Sequence, residues 1–243
     1  MTINYNHYTD PQAVAEALSE RIIDLYDAGG ARPYSVALSG GSTPKALFDF
    51  WCAHPEEIRD KDIHFWWVDE RMVPEESKDS NYGNALRAVF QPIGYDPKKL
   101  HPIRHIEGQS IDEAVEKYNA EAETFRLKHG KSSPFDLIIL GVGEDGHTSS
   151  LFPGQALYEV EEDFLRSVHP TNGIERVALS YEGIRRSPKT LFHVTGQAKT
   201  ERLAQVITLA EGDATDTDTR LFPAAYAMRI AKGMEIYTDI PLR

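Results

Sequence analysis

The chain has 243 residues, 41% of them hydrophobic and 26% charged, enough to bury a large core in one domain and ordinary for a soluble globular protein. Its formal net charge of −12 argues against non-specific nucleic-acid binding, so an anionic ligand would have to be drawn in by a local basic pocket. No apolar run approaches the roughly 20 residues of a membrane span, residues 1–8 lack the basic and apolar regions of a signal peptide, and the single cysteine, Cys52, fits a reducing compartment, so a cytoplasmic protein is expected.

Asp10-Pro11 supplies an N-cap and a first-turn proline. Val14, Leu18, Ile22 and Leu25 then follow at helical spacing until Gly29-Gly30 ends the helix. Tyr34–Leu38 reads as a short buried strand, and Ser39–Pro44 turns it into a second helix, where Phe48, Phe50 and Trp51 mark Cys52 as a core-packing neighbour rather than a nucleophile. Asp62–Val68 is another strand, ending in Asp69-Glu70-Arg71. Ser80-Asn81 is placed to cap a helix running through Phe90, and Ser110-Ile-Asp-Glu113 is a capping box for a helix reaching about Lys128.

Phe135–Leu140 is a buried strand that ends in a glycine-rich turn, Gly141–Gly146, followed at once by His147. Beyond Gly154, Arg176–Ser180 and Thr190–Val194 read as strands, Gln197 to about Leu209 as a helix, Glu211–Thr219 as a polar acidic loop, Ala224–Ala231 as a helix and Glu235–Tyr237 as a strand closing the sheet. Strands alternating with helices predict one α/β domain over residues 1–243, Rossmann-like, with a largely parallel sheet flanked by helices.

In such sheets ligands bind at the carboxyl ends of the strands, and three strand ends here carry chemistry. Gly141-Val-Gly143-Glu-Asp-Gly146 satisfies the dinucleotide pattern, yet Glu144 and Asp145 put carboxylates where the pyrophosphate would sit and Pro153-Gly154 cuts short any following helix. A nucleotide fold is therefore rejected. Asp145 stands two residues before His147 and could orient its ring, making His147 a general base on water; a purely structural histidine is the alternative. No G-x-S-x-G elbow and no His-x-x-x-His or cysteine pair is present, so neither an acyl-serine nor a metal is indicated.

In Ser39-Gly40-Gly41-Ser42-Thr43-Pro44-Lys45, the glycines allow close backbone approach, and Ser42 or Thr43 could cap the next helix. Free N–H groups and the helix dipole there suit a phosphate, although a plain strand–helix turn would look the same; no Walker pattern is present. Asp69 and Arg71 could form a cleft pair that fixes a sugar hydroxyl or stabilises negative charge on a carbonyl, or merely a surface ion pair. Basic residues in Tyr181–Arg186 and at Lys199 could complete a phosphate site, although each alone could equally be solvated surface charge.

Taken together, Ser39–Pro44, Trp67–Arg71, Asp79–Gly83, Gly143–Gly154, Arg176–Ser180 and Val194–Lys199 resemble the 6-phosphogluconolactonase family over most of the chain. The resemblance implies hydrolysis of 6-phospho-D-glucono-1,5-lactone to 6-phosphogluconate in the oxidative pentose phosphate pathway, with no organic cofactor and no metal. It implies that His147 activates the water, Asp145 orients His147, and Asp69 and Arg71 contact the sugar and carbonyl end. Gly40, Gly41, Ser42 and Thr43 would hold the phosphate with Lys199 and one arginine, Arg186 being favoured over its neighbour Arg185. The related glucosamine-6-phosphate deaminases have Asp-Glu-Tyr where this chain has Asp69-Glu70-Arg71, and an Asn-Glu pair where it has Leu151 and Phe152. A carboxylate of their machinery is thus missing, and lactonase is favoured. The expected partner is the small sugar-phosphate lactone, with no nucleic acid and no membrane. A non-catalytic sugar-phosphate sensor runs against the intact Asp145/His147 pair, and association with glucose-6-phosphate dehydrogenase is left open.

Overall fold

In the computed structural model, which describes residues 3–29, 33–155 and 160–241, Asp10 starts the first helix as expected. Its carboxylate accepts from the N–H groups of Gln12 and Ala13 at 3.0 and 2.9 Å, and the helix, α1 (Pro11–Ala28), follows strand β1 (Asn4–His7). The chain continues through β2 (Tyr34–Leu38), α2 (Lys45–Ala53), β3 (Ile63–Trp67), β4 (Asp69–Arg71), α3 (Asn81–Ala85), β5 (Leu100–His101), α4 (Ile111–Lys128) and β6 (Leu137–Leu140). It ends through β7 (Phe164–Val168), β8 (Glu175–Leu179), α5 (Tyr181–Arg186), β9 (Thr190–Val194), α6 (Thr200–Glu211), α7 (Asp216–Thr219), α8 (Pro223–Ile230) and β10 (Glu235–Thr238).

Seven strands form a wholly parallel sheet in the order β1-β10-β9-β6-β2-β3-β5. Every residue of β2, β6 and β9 is buried. That is why these strands read as continuous apolar runs: helices cover a parallel sheet on both faces. Helices α1 and α2 pack on each other, as do α6 and α8. Trp51, Trp66 and Trp67 are fully buried, and the indole of Trp51 donates to the Ser19 hydroxyl at 2.8 Å. The capping box of Ser110 and Glu113 is present at the start of α4.

Several elements differ from expectation. The strand at Arg176 belongs to a separate antiparallel sheet, β4-β8-β7, whose member β7 had no clear alternation to mark it. The register of that sheet sets Asp69 opposite Ala178 and Arg71 opposite Arg176. Strand β10 lies inside the large sheet, because β1 pairs along its outer side. The helix beginning at Ser80 passes into a π-helical turn over Leu86–Phe90. The acidic stretch after Glu211 holds the short helix α7, closed by a capping box between Thr215 and Asp218. Arg229 also ties this stretch down, donating to the carbonyls of Ala214 and, at 2.7 Å, Gly212. Of the C-terminal tail, Leu242 and Arg243 lie outside the described residues, as does Gly30 of the expected helix stop. No helix among the described residues is long and apolar enough to cross a membrane.

Candidate active site

At the carboxyl ends of β2, β6 and β9 the sheet opens into a cleft of about 250 Å³. Its walls bring together His147, Asp69, Arg71, Gly40, Gly41, Ser42, Thr43 and Lys199, residues spread over 160 positions of sequence. A switch in direction of strand order beside β2 places the cleft where an open α/β sheet holds ligands.

The turn after β6 builds the histidine. Gly146 takes φ 86°, a conformation that costs glycine little, and its N–H donates to the Gly143 carbonyl at 2.9 Å. The Gly143 N–H in turn donates to the His147 carbonyl at 2.8 Å. The Asp145 carboxylate then accepts twice from His147, from its backbone N–H at 3.0 Å and from ring Nδ1 at 2.5 Å. Burial disfavours ionised Asp145, but the hydrogen bonds and charge of His147 outweigh it and hold the carboxyl down to about 2. An ionised Asp145 fixes the proton on Nδ1 and leaves the lone pair on Nε2. Asp145 itself stands behind the ring rather than on the cleft wall. Phe152 packs against the imidazole, its ring centroid 4.9 Å away. Ser149 adopts φ 51°, a strained conformation for a non-glycine residue. Its hydroxyl is fixed by donating to the Val68 carbonyl at 2.9 Å and accepting from Leu179 N–H at 3.1 Å, which joins the turn to both sheets.

The turn after β2 differs in detail from expectation. No side chain caps α2: Pro44 occupies the N-cap position, and Thr43 instead accepts from the Lys199 ammonium at 3.0 Å. Among the described residues the N–H groups of Gly41, Ser42 and Thr43 make no backbone hydrogen bond. Gly41, at φ 88°, faces open space, whereas a Cβ on Gly40 would stand 2.0 Å from the Asn81 side-chain oxygen. Only Gly41 therefore leaves room for a ligand; Gly40 makes room for Asn81. Burial pushes the Lys199 ammonium down from its ordinary range, and it forms no ion pair among the described residues.

Asp69 and Arg71 do not pair with each other. Ser150 donates to Asp69 at 2.5 Å, Asn81 donates to its carbonyl at 2.9 Å, and the nearest cation is Arg176, 3.9 Å away. Arg71 donates to the Asp79 carbonyl at 2.7 Å and keeps a buried Nε without a partner among the described residues. Between them Glu70 turns inward. It accepts from the N–H groups of Arg71, Asn81 and Tyr82 and from the Ser80 hydroxyl, and burial pushes it up to about 7 against those bonds.

Arg186 is not part of the cleft. In the last turn of α5 both arginines face Glu182, one turn back: Arg185 bonds it at 2.6 Å and Arg186 at 3.0 Å, with Asp163 at 3.3 Å from Arg186. The arginine that lines the cleft besides Arg71 is Arg176, 7% exposed, donating to Ser150 at 3.3 Å. Burial and then the Arg71 charge lower its pKa, and its Nε has no partner among the described residues. Its position could have been found from sequence, as the one charged residue among the buried positions of an apolar strand. Asn81 and His193 also line the cleft without having been singled out. Arg71, Arg176 and Lys199 thus make a local basic pocket in a chain of net charge −12. Among the described residues no cluster of three or more His, Cys, Asp or Glu side chains could hold a metal ion.

Comparison with known proteins gives one answer. The family described as glucosamine-6-phosphate isomerases/6-phosphogluconolactonase matches residues 9–234. The 6-phosphogluconolactonase of Haemophilus influenzae is 32% identical over 225 residues, covering 92% of this chain and 91% of the relative. That of Treponema pallidum is 35% identical over 175 residues, 70% of this chain and 71% of the relative. Among solved structures, a devB protein superimposes with a TM-score of 0.83 at 32% identity, covering 98% of this chain and 96% of the other. The 6-phosphogluconolactonase of Trypanosoma brucei, at 24% identity, shares the fold with a TM-score of 0.82, covering 98% and 96% of the two chains.

Proposed function

The chain belongs to the glucosamine-6-phosphate isomerase/6-phosphogluconolactonase family, and from that premise we infer that it hydrolyses 6-phospho-D-glucono-1,5-lactone with a water activated by His147. The observation that carries the mechanism is the 2.5 Å bond that an ionised Asp145, behind the ring, accepts from Nδ1 of His147 on the wall of a basic cleft. It leaves Nε2 as the base. Water gives a proton to Nε2 as its oxygen bonds C1, and the carbonyl electrons move onto oxygen. Arg71 and Arg176 are the cations placed to stabilise that oxyanion. When the carbonyl re-forms, the C1–O5 bond breaks and the imidazolium returns the proton to O5. The free N–H groups of residues 41–43 and the Lys199 ammonium hold the 6-phosphate. The route asks for no organic cofactor and no metal ion.

The deaminase reading is disfavoured by Phe152. At the position where a deaminase carries a carboxylate, this chain has a buried phenyl ring packed on His147. Purified protein should hydrolyse the phosphorylated lactone above the spontaneous rate, before and after EDTA, and release no ammonia from glucosamine 6-phosphate. Ammonia release, or activity lost on chelation and restored by added metal, would overturn the assignment.

A further inference from the structure

Beyond Lys199 and the backbone turn, one more polar side chain stands at the phosphate end of the cleft with no role assigned to it. His193 lies on β9, 3% exposed, in a strand whose other residues are apolar apart from Thr190. Its backbone register faces Tyr237 on one side. On the other side β6 has passed its last paired residue, Leu140, and reached Gly141. A Cβ on Gly141 would meet nothing within 4 Å but the His193 carbonyl, at 3.9 Å, so the missing side chain leaves open space beside the histidine. Ring Nε2 is buried and has no hydrogen-bond partner among the described residues.

A buried polar atom without a partner is uncommon in folded proteins and calls for a specific reason. Here the surroundings supply one. His193 and Lys199 lie close enough that the ammonium charge acts on the ring, and both line the cleft with Thr43. Burial, followed by that charge, holds the imidazole down to about 3, so the ring is neutral. A neutral imidazole adds a hydrogen-bond donor without placing a second full cation beside Lys199. A phosphate monoester presents three terminal oxygens, more acceptors than one ammonium satisfies.

Resting on the lactonase reading above, we propose that His193 is a substrate-binding residue that donates to the 6-phosphate and sharpens the preference for phosphorylated over unphosphorylated lactone. The dianion neutralises the Lys199 charge and accepts from Nε2–H, so the orphan donor and the solitary cation are satisfied by one ligand. The leucine-like position of the ring in the strand explains why it escapes notice in the sequence: it looks like a core residue.

The test uses His193→Leu, which keeps bulk and removes the donor, and His193→Gln, which keeps a side-chain N–H. For the leucine variant, KM for the phosphorylated lactone should rise on the order of tenfold or more, with kcat and the reaction of glucono-1,5-lactone changed far less. The glutamine variant should recover part of the loss. Separately, nitrogen-labelled wild-type protein titrated with 6-phosphogluconate should show the His193 ring resonances moving and its protonation shifting to higher pH. Unchanged KM in both variants, an equal loss on both lactones, or ring resonances that ignore 6-phosphogluconate would overturn the proposal. The titration reads phosphate contact without catalysis, so absence of lactonase activity in the wild type would sink the lactonase reading while leaving this contact separately measured.

Discussion

His147 lies so close over Gly143 that a Cβ at position 143 would stand 2.2 Å from ring Nδ1. The side-chain carboxylate of Asp145 would be 2.8 Å from the same point. The glycine therefore makes space for the base and its carboxylate partner together, a role distinct from turn flexibility. Gly143→Ala should displace the imidazole while the buried strand before it holds. Turnover of the phosphorylated lactone should fall on the order of 10²-fold, at the lower end of general-base effects, with the far-ultraviolet circular dichroism kept. Wild-type turnover in the alanine variant would show that His147 is not the base.

Asp145 and His147 make a distinct pH signature. Asp145 stays ionised down to about 2, so its own protonation does not limit activity above about pH 4. With one general base in the mechanism, activity is then lost on the acid side with the slope of a single proton. In Asp145→Asn the ring loses its fixed tautomer, and kcat should drop by at least 10²-fold. A wild-type profile flat from pH 5 to 8 after subtraction of spontaneous hydrolysis, or a two-proton limb, would contradict this pairing.

Lys199→Ala removes the half-buried ammonium that now touches Thr43. A hydrogen bond to a charged group contributes roughly 1.5–3 kcal/mol, so KM for the phosphorylated lactone should rise by about one to two orders of magnitude. Glucono-1,5-lactone, lacking the phosphate, should be affected far less. Comparable damage to both substrates would assign Lys199 to the fold or to the chemistry.

A stability effect is expected far from the cleft. His64 on β3 faces His101, Nδ1 to Nε2 2.8 Å, and burial followed by the His101 charge holds it down to about 4, with Asp62 opposing. An unfolded imidazole titrates near 6.5. Between about 6.5 and 4 the unfolded chain binds a proton that the folded chain refuses, so this contribution is intact above 6.5 and declines as pH falls. The slope is at most about 1.4 kcal/mol per pH unit. Thermal melts from pH 7 to 4.5 should fall less steeply for His64→Leu than for the wild type; identical slopes would remove His64 from the acid response.

Elements with strong local signals were readable in advance. The buried runs of β2, β3, β6 and β9, the Asp10 and Ser110 caps and the Gly143–His147 turn are written in contiguous residues, and each formed. What failed depended on partners distant in sequence. Arg186 looked suitable because it follows a strand, but its neighbour Glu182 captures it one helical turn away. Arg176 stands out in the sequence as a charge in an apolar strand, but its place in the cleft comes from pairing with β4, about a hundred residues earlier. Gly40 was assigned to ligand approach because only the folded chain reveals Asn81 filling its space.

The cross-strand register of β4 and β8 has a further consequence for how this protein could be improved. Arg71 and Arg176 are direct neighbours in that antiparallel pair, and like charges directly opposite each other destabilise a sheet by roughly 0.2–1 kcal/mol. Exchanging Arg176 for a methionine would remove that repulsion, but it would also take away the nearest cation of the buried Asp69 and a donor to Ser150. Leaving a buried carboxylate without its cation costs more than the repulsion it relieves. Arg176 is thus retained beside Arg71 by its carboxylate neighbour, and a screen for heat resistance alone would keep it.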